Sequence, residues 1–179
     1  MVLKKYFFVL LTAAIVVFCA WKWRQVASFQ RVIEIMPAIR SAAEESNVDP
    51  YLLAGLVYAE SRGRSDALSS VKAQGYCQLM PFTAAEVAGK MKIPGPPYSP
   101  SDNLRMGAFY LAQMQRRWEG DDTLALLSYR LGAARVAREL KKFSSKKEYL
   151  ESMEIVNSPL AYCYQISNMR QEFYRYETR

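Results

Sequence analysis

The most constraining feature of the chain is an apolar segment near its start. From Tyr6 to Trp21 the sequence contains no charged residue, no glycine and no proline. The segment extends to Trp23 if Lys22 directs its ammonium group toward lipid headgroups, and about 18 residues are then available to cross a bilayer as a helix. Basic residues and tryptophans at its ends are typical of the two membrane interfaces. Residues 6–23 are therefore predicted to form a transmembrane helix.

A cleaved signal peptide is the alternative interpretation, because it also combines a short basic start with an apolar run. Cleavage prefers small residues one and three positions before the cut, whereas Phe18 lies two positions before Ala20 and Gln25 lies two positions before Ala27. The residues before Cys19 are too large for lipid modification of that cysteine. These observations favour an uncleaved anchor. Basic residues on both sides of the segment leave its orientation open.

The rest of the chain is expected to form one folded domain, since its length and apolar content are sufficient for a core. The predicted organisation is a basic N-terminus (1–5), a transmembrane anchor (6–23), a juxtamembrane linker (24–31) and the domain itself (32–179).

The formal charge of +7 lies mostly beside the apolar segment. Residues 1–31 carry five of the 24 basic residues and none of the 17 acidic residues. The predicted domain is therefore nearly neutral, and it lacks the charge excess of a face that binds a duplex. Nucleic acid is not expected as a partner.

The absence of histidine excludes several kinds of site, because the chain has three cysteines and no histidine at all. Zinc sites with histidine ligands and Ser-His or Cys-His couples are impossible, and no metal or cofactor is expected. Acid–base chemistry must come from carboxylates, tyrosines or lysines. Cys77 and Cys163 can pair in an oxidising compartment, although two buried free thiols are the simpler expectation.

The apolar spacing is helical almost throughout, so the domain is predicted to be all-α with about seven helices. Turn and capping residues mark where these helices begin and end. The predicted elements are an apolar stripe from Val32 to Ala43; a helix over about 51–62, capped by Asp49 with Pro50 in its first turn; a structured loop over 64–81; a helix over about 83–90; a long helix capped by Asp102; one beginning at Asp121 and Asp122; a basic helix from Gly132 to about Lys142; a capping box from Ser145 to Glu148; and a last helix from Ser158 toward Phe173.

One carboxylate falls where a core residue is expected. Leu53, Leu56, Val57 and Glu60 share one face of the predicted second helix, so Glu60 lies on its apolar stripe. Burial and the negative end of the helix dipole both raise the pKa of a carboxyl group there, as a general acid requires. A buried glutamate hydrogen-bonded to a tyrosine or arginine is the structural alternative, and the residue pattern alone leaves both open.

Four motifs follow one another along the chain: LLAGLVYAES (52–61), GYCQLMPFTA (75–84), NLRMGAFYL (103–111) and SYRLG (128–132). This series, over about residues 33–169, resembles the soluble lytic transglycosylases, which share a goose-type lysozyme-like fold. The resemblance implies an all-α lysozyme-like domain that binds peptidoglycan glycan strands. Together with the anchor, it implies a single-pass membrane protein whose domain lies on the cell-wall (periplasmic) side.

The same resemblance implies roles for individual residues. Glu60 matches the catalytic acid/base, and Ser61, Gln78, Tyr129 and Tyr162 match positions expected to bind substrate. Glu60 would protonate the glycosidic oxygen between N-acetylmuramic acid and N-acetylglucosamine, with assistance from the acetamido group of the substrate. It would then deprotonate the 6-hydroxyl of the same muramic acid, which closes on the anomeric carbon to give a 1,6-anhydro sugar.

The sequence also departs from the family pattern, which usually has glycine where Lys72 stands and asparagine where Arg130 stands. A guanidinium near Glu60 would lower the pKa that the mechanism needs high, unless Arg130 points outward or binds carboxylates of the peptide stem. Leu-Met is also usual where Tyr76 and Cys77 stand.

Two further functions remain as alternatives. A catalytically weakened peptidoglycan-binding module would bind glycan without cutting it. A hydrolytic muramidase of the same fold would need a second carboxylate, for which Asp66 is the nearest candidate in sequence, although a solvated loop residue is expected there.

Overall fold

The computed structural model describes residues 2–153 and 158–179, with side-chain surroundings described from residue 10 onward. Within these residues the chain forms nine helices and no strand, which confirms the predicted all-α class. The helices are α1 (Val2–Glu34), α2 (Met36–Ser46), α3 (Pro50–Ser61), α4 (Pro81–Met91), α5 (Pro100–Arg117), α6 (Asp122–Leu131), α7 (Ala133–Leu140), α8 (Lys146–Glu151) and α9 (Pro159–Glu177).

Helix α1 is continuous through the predicted anchor and the predicted linker. Its part from Leu10 to Glu34 is long and apolar enough to cross a membrane. Signal sequences share this character. Residues 24–31, expected as a linker, are helical and contact the domain: the Phe29 ring stacks on Phe173 at 4.6 Å between centroids.

The apolar stripe from Val32 to Ala43 does not belong to a single helix, as the sequence had suggested. The helix is interrupted at Ile35, and α2 begins at Met36 with Pro37 in its first turn. Proline has no N–H group, and its ring clashes with the carbonyl group four residues earlier, so a helix cannot pass through this position undisturbed.

Helix α3 lies at the centre of the core and is buried on nearly all sides. Helix α9 packs closely against it: a side-chain carbon at Gly55 would lie 2.6 Å from the carbonyl oxygen of Ile166. Helices α1 and α2 also contact α3, while α6 contacts α9. The last turn of α3 is thereby held beside the first turns of α9.

Helix caps follow the sequence with one exception. Asp49, Asp121, Ser145 and Ser158 accept backbone hydrogen bonds at the starts of α3, α6, α8 and α9, as predicted. Helix α5, however, begins at Pro100 and is capped by Ser99 rather than Asp102. Asp102 stands three residues after the cap, where its carboxylate accepts from the Ser99 hydroxyl at 2.7 Å.

Removing residues 24–31 is expected to destabilise the domain, because Phe29 stacks on Phe173 and the Tyr58 hydroxyl donates to Gln25. A chain starting at Arg24 should be more stable to urea by about 1 to 3 kcal/mol than one starting at Val32. Circular dichroism during urea unfolding measures the difference. Equal midpoints would assign residues 24–31 to a linker, as the sequence predicted.

Candidate active site

Glu60 lies in the last turn of α3 and is half-buried. Its Oε1 accepts a hydrogen bond of 2.6 Å from the hydroxyl group of Tyr162, which lies in the first turn of α9 and is 7% exposed. The packing of α9 on α3 therefore brings together two residues that are far apart in sequence.

Burial is the largest influence on Glu60, and it raises the pKa of the carboxyl group above its ordinary value of 4.5. The hydrogen bond from Tyr162 and the positive charge of Arg130 act in the opposite direction but do not cancel this effect. Burial and the neighbouring Glu60 raise the pKa of Tyr162 as well. Tyr162 is therefore a hydrogen-bond donor at neutral pH.

Arg130 is exposed at the end of α6, and its guanidinium carbon lies 4.7 Å from the centre of the Tyr162 ring. Among the described residues it forms no ion pair with Glu60 or any other carboxylate. The departure from the family pattern therefore places a cation over the tyrosine rather than on the acid. Its effect on the pKa of Glu60 is weaker than that of burial.

Gln78 belongs to the loop between α3 and α4, where it adopts the left-handed conformation with φ of 46°. Its amide nitrogen donates to the carbonyl oxygens of Ala67 at 2.9 Å and Gly75 at 3.0 Å. The side chain thus closes the loop on itself. Across the described chain, its Oε1 accepts no hydrogen bond, so this oxygen is the part of Gln78 that can meet a ligand.

Tyr129, on α6, is hydrogen-bonded to the same loop. Its hydroxyl group donates to the carbonyl oxygen of Cys77 at 2.8 Å, and its ring packs beside Tyr110 at 5.1 Å. Burial raises the pKa of Tyr129, and the neighbouring Cys77 and Glu60 contribute in the same direction. The hydroxyl group of Tyr129 is therefore engaged by the protein.

Ser61 is placed differently from the other predicted residues. Its side chain is 2% exposed, and the hydroxyl group donates to the carbonyl oxygen of Val57 at 3.1 Å within α3. A substrate contact by Ser61 stays a prediction, and this burial argues against it. The structure brings together Glu60, Tyr129 and Tyr162 and holds Gln78 on the adjoining loop.

Asn103 is a site residue whose role the sequence did not reveal. It is 6% exposed on α5; its Oδ1 accepts from the Cys77 amide at 2.9 Å, and its Nδ2 donates to the Gln74 carbonyl at 3.1 Å. Gly75 fits against it with φ of 76°, and an added side-chain carbon would lie 2.6 Å from the Asn103 amide. The signal available in the sequence was a buried polar residue on the inner face of α5.

The two other departures from the family pattern include residues at sterically restricted positions. Lys72 is exposed at a turn with φ of 63°, a conformation that glycine adopts at no steric cost. Cys77 is fully buried against Gly107, where a side-chain carbon would lie 2.3 Å from its sulfur. Cys77 and Cys163 are both buried free thiols rather than a pair, and burial raises the pKa of each.

The site thus consists of the half-buried acid Glu60, its partner Tyr162, and a loop that is hydrogen-bonded to Asn103 and Tyr129. Residues 37–152, more than half of the chain, match the family described as Transglycosylase SLT domain. The chain belongs to this family. The predicted lysozyme-like fold is also confirmed by similar solved structures.

Two such structures are transglycosylases. An inactive glutamate-to-glutamine mutant of the lytic transglycosylase Slt from Pseudomonas aeruginosa has a TM-score of 0.67 and 27% identity, covering 75% of this chain and 23% of that chain. The 70 kDa soluble lytic transglycosylase of Escherichia coli has a TM-score of 0.68 and 21% identity, covering 79% and 24% respectively. At that identity the second structure shows the fold alone.

A transglycosylase of Enterobacteria phage PRD1 is 38% identical over 94 residues, which are 52% of this chain and 33% of the phage protein. The SLT-family chain thus spans about a third of this curated relative and about a quarter of the two solved structures.

Proposed function

We propose that this SLT-family protein is a peptidoglycan lytic transglycosylase in which Glu60 is the only catalytic carboxylate. The observation that carries the proposal is a half-buried carboxyl group with a raised pKa, held by Tyr162 at 2.6 Å. A carboxylic acid that stays protonated near neutral pH is what a general acid requires. Membership of the family and the inactive glutamate-to-glutamine mutant of the Pseudomonas aeruginosa neighbour support this assignment.

The substrate is the β-1,4 bond between N-acetylmuramic acid and N-acetylglucosamine. Glu60 donates its proton to the glycosidic oxygen as the bond to the anomeric carbon breaks, and the substrate acetamido group supports that carbon. The Glu60 carboxylate then removes the proton of the 6-hydroxyl group, whose oxygen closes on the anomeric carbon. The acid is restored, and one chain ends in 1,6-anhydro-N-acetylmuramic acid.

This mechanism needs no second acid, and Asp66 lies exposed in the loop after α3. A hydrolase would use a second carboxylate to activate water or to act as nucleophile. Among the described residues, the groups that shift the pKa of Glu60 besides burial are Tyr162 and Arg130, and neither is a carboxylate. The site therefore favours attack by the sugar's own hydroxyl group.

The remaining site residues are proposed to position the reacting groups. Tyr162 orients the carboxyl group of Glu60, and Tyr129 holds the loop from which Gln78 presents its Oε1 to the sugar. The same loop borders a cleft of about 310 Å³ whose lining includes Lys72 and Tyr98. We further propose that α1 anchors the protein in the cell membrane, with the domain on the cell-wall (periplasmic) side.

Mass spectrometry of the products released from purified sacculi tests the proposed reaction. The lyase gives anhydro ends that are lighter by one water molecule than hydrolytic ends and resist borohydride reduction. In water enriched in ¹⁸O these products should carry no heavy oxygen. Reducing ends labelled with ¹⁸O would instead identify a hydrolase, and binding without release would identify a binding module.

Replacing Arg130 with asparagine, the usual family residue, should raise the pKa of Glu60 further, because the arginine charge lowers it. A general acid acts while protonated, so activity is lost as pH rises through its folded-state pKa. The alkaline limb of kcat/KM against pH should therefore move to higher pH. Arg116→Asn, at an exposed position on α5, should leave the limb in place. A limb that moved to lower pH would contradict this assignment.

A further inference from the structure

A basic cleft of about 810 Å³ lies between α1 and the turn that follows α3. Four arginines line it: Arg24 and Arg31 from α1, and Arg62 and Arg64 from the turn. The rest of the lining comes from α1 between Val17 and Ser28, and the lining contains no aspartate or glutamate. The basic cleft shares no lining residue with the cleft that borders the Gln78 loop.

Specific contacts fix the shape of the basic cleft. Arg31 donates from Nε to the carbonyl oxygen of Arg62 at 3.0 Å and from Nη2 to the hydroxyl group of Ser28 at 3.0 Å. Gly63 has φ of 72°, and an added side-chain carbon there would lie 3.1 Å from the Val32 nitrogen of α1. The turn therefore packs tightly against α1. These contacts fix the positions of Arg31 and Arg62 relative to each other.

The arginines of the basic cleft have no acidic partners. None of the four forms an ion pair in the part of the chain that the structure describes, whereas Arg105 pairs with Glu45. Arg62 lies over the ring of Tyr58, with its guanidinium carbon 4.5 Å from the centroid. Grouped cations without counter-charges create a positive potential that attracts anions.

The position of the basic cleft along α1 indicates which kind of anion can reach it. The proposed anchor ends at Trp23, so Arg24 follows it directly, and Arg31 lies about 10 Å farther along the helix at 1.5 Å per residue. Each headgroup layer occupies about 5 to 8 Å beyond the hydrocarbon core. Because α1 is continuous from Val2 to Glu34, the lining of the basic cleft on α1 runs from Val17, inside the proposed anchor, across the headgroup layer to Arg31. Trp21 and Trp23, both exposed, are placed as an interfacial aromatic belt.

We propose that the basic cleft binds the phosphate groups of anionic phospholipids and so docks the catalytic domain on the membrane surface. Guanidinium groups bind phosphate oxygens through paired, charge-assisted hydrogen bonds, and basic residues near a bilayer are attracted to anionic lipid. The proposal rests on the anchor proposed above. Docking gives the domain one orientation relative to the bilayer, set by the contact between α1 and the turn after α3.

The full chain reconstituted in bilayer discs tests this proposal through the reactivity of its arginines toward phenylglyoxal. In discs containing phosphatidylglycerol, Arg62 and Arg64 should react about fivefold more slowly than in discs of phosphatidylcholine alone. High salt should remove this protection. Arg116 and Arg117, on α5 outside the basic cleft, should react alike in both discs. Equal reactivity of Arg62 and Arg64 in both discs would overturn the docking proposal but not the anchor.

Two further arms distinguish binding of the lipid surface from binding of a free anion and from a general effect of charge. Arg24→Gln with Arg64→Gln should reduce the protection of Arg62, whereas the matched pair Arg116→Gln with Arg117→Gln should not. Inorganic phosphate added to phosphatidylcholine discs should not protect Arg62; equal protection by free phosphate would overturn the assignment to lipid. A chain that fails to enter the discs would overturn both this proposal and the anchor, while leaving the proposed transglycosylase reaction untouched.

Discussion

Replacing Glu60 with glutamine is expected to reduce the release of anhydro-terminated products by at least about 10²- to 10⁴-fold, the usual effect of losing a general acid. Glutamine keeps the shape of the side chain and an oxygen that can accept from Tyr162, but it cannot transfer a proton. Binding of glycan fragments should survive. Product release from sacculi and fragment binding by calorimetry measure the two properties separately.

The same variant should change stability in a way that depends on pH. Burial raises the pKa of Glu60, so its contribution to stability is present below the unfolded-state pKa and is lost as pH rises through the folded-state pKa. Glutamine does not titrate. The free energy of unfolding of Glu60→Gln should therefore exceed that of the wild type increasingly as pH rises through this window.

A matched control for Glu60→Gln is Glu86→Gln, at an exposed position on α4 where the carboxylate pairs with Lys90. It removes the same negative charge and should leave cleavage unchanged. Wild-type rates of product release by Glu60→Gln would remove Glu60 from the mechanism. A large loss of activity in the control would show instead that overall charge governs the assay.

Replacing Asn103 with alanine is expected to produce the largest loss of stability. The Cys77 amide and the Gln74 carbonyl would both lose their partner, and each buried group left unpaired costs about 1 to 3 kcal/mol. The expected loss is about 2 to 6 kcal/mol in the free energy of unfolding, measured with urea. Cleavage should also fall under conditions where the variant is still folded, because the loop carrying Gln78 loses its clamp.

Asn168→Ala, at an exposed position on α9, is the matched control and should leave stability and cleavage unchanged. An Asn103→Ala variant that kept both wild-type stability and wild-type cleavage would exclude a clamping role.

The sequence was sufficient to predict the helical class and the position of the acid, because both depend on local rules. The spacing of Leu53, Leu56 and Val57 defines a stripe, and Glu60 falls on it whatever the rest of the chain does. Capping by Asp49 likewise depends on residues adjacent in sequence. The motif order was sufficient to identify the family.

Features that depend on tertiary contacts were not predictable in the same way. The role of Asn103 depends on a loop that precedes it by more than twenty residues and folds back onto α5. The hydrogen bond from the Tyr129 hydroxyl group to the carbonyl oxygen of Cys77 joins residues 52 positions apart, so local rules could not predict it. The helical continuity of residues 24–31 follows from their packing on the domain, notably the stacking of Phe29 on Phe173.

Some misplaced boundaries were nevertheless visible in the sequence. Pro37 interrupts the stripe that was interpreted as one helix, and its missing N–H group was sufficient reason to divide it. Ser99 followed by Pro100 is a better start for α5 than Asp102, because serine caps and proline fits the first turn. In both places a proline in the first turn marks the start of the helix.

The titration of the Glu60 carboxyl group tests its role as the general acid most directly. Infrared spectra of the protein labelled with ¹³C-glutamate, with the spectrum of Glu60→Gln subtracted, isolate its protonated and ionised bands across pH. We expect a protonated band that persists above pH 4.5, the ordinary pKa of the group, because burial disfavours the anion. A midpoint at or below that value would contradict the assignment of Glu60 as a general acid held protonated by its surroundings.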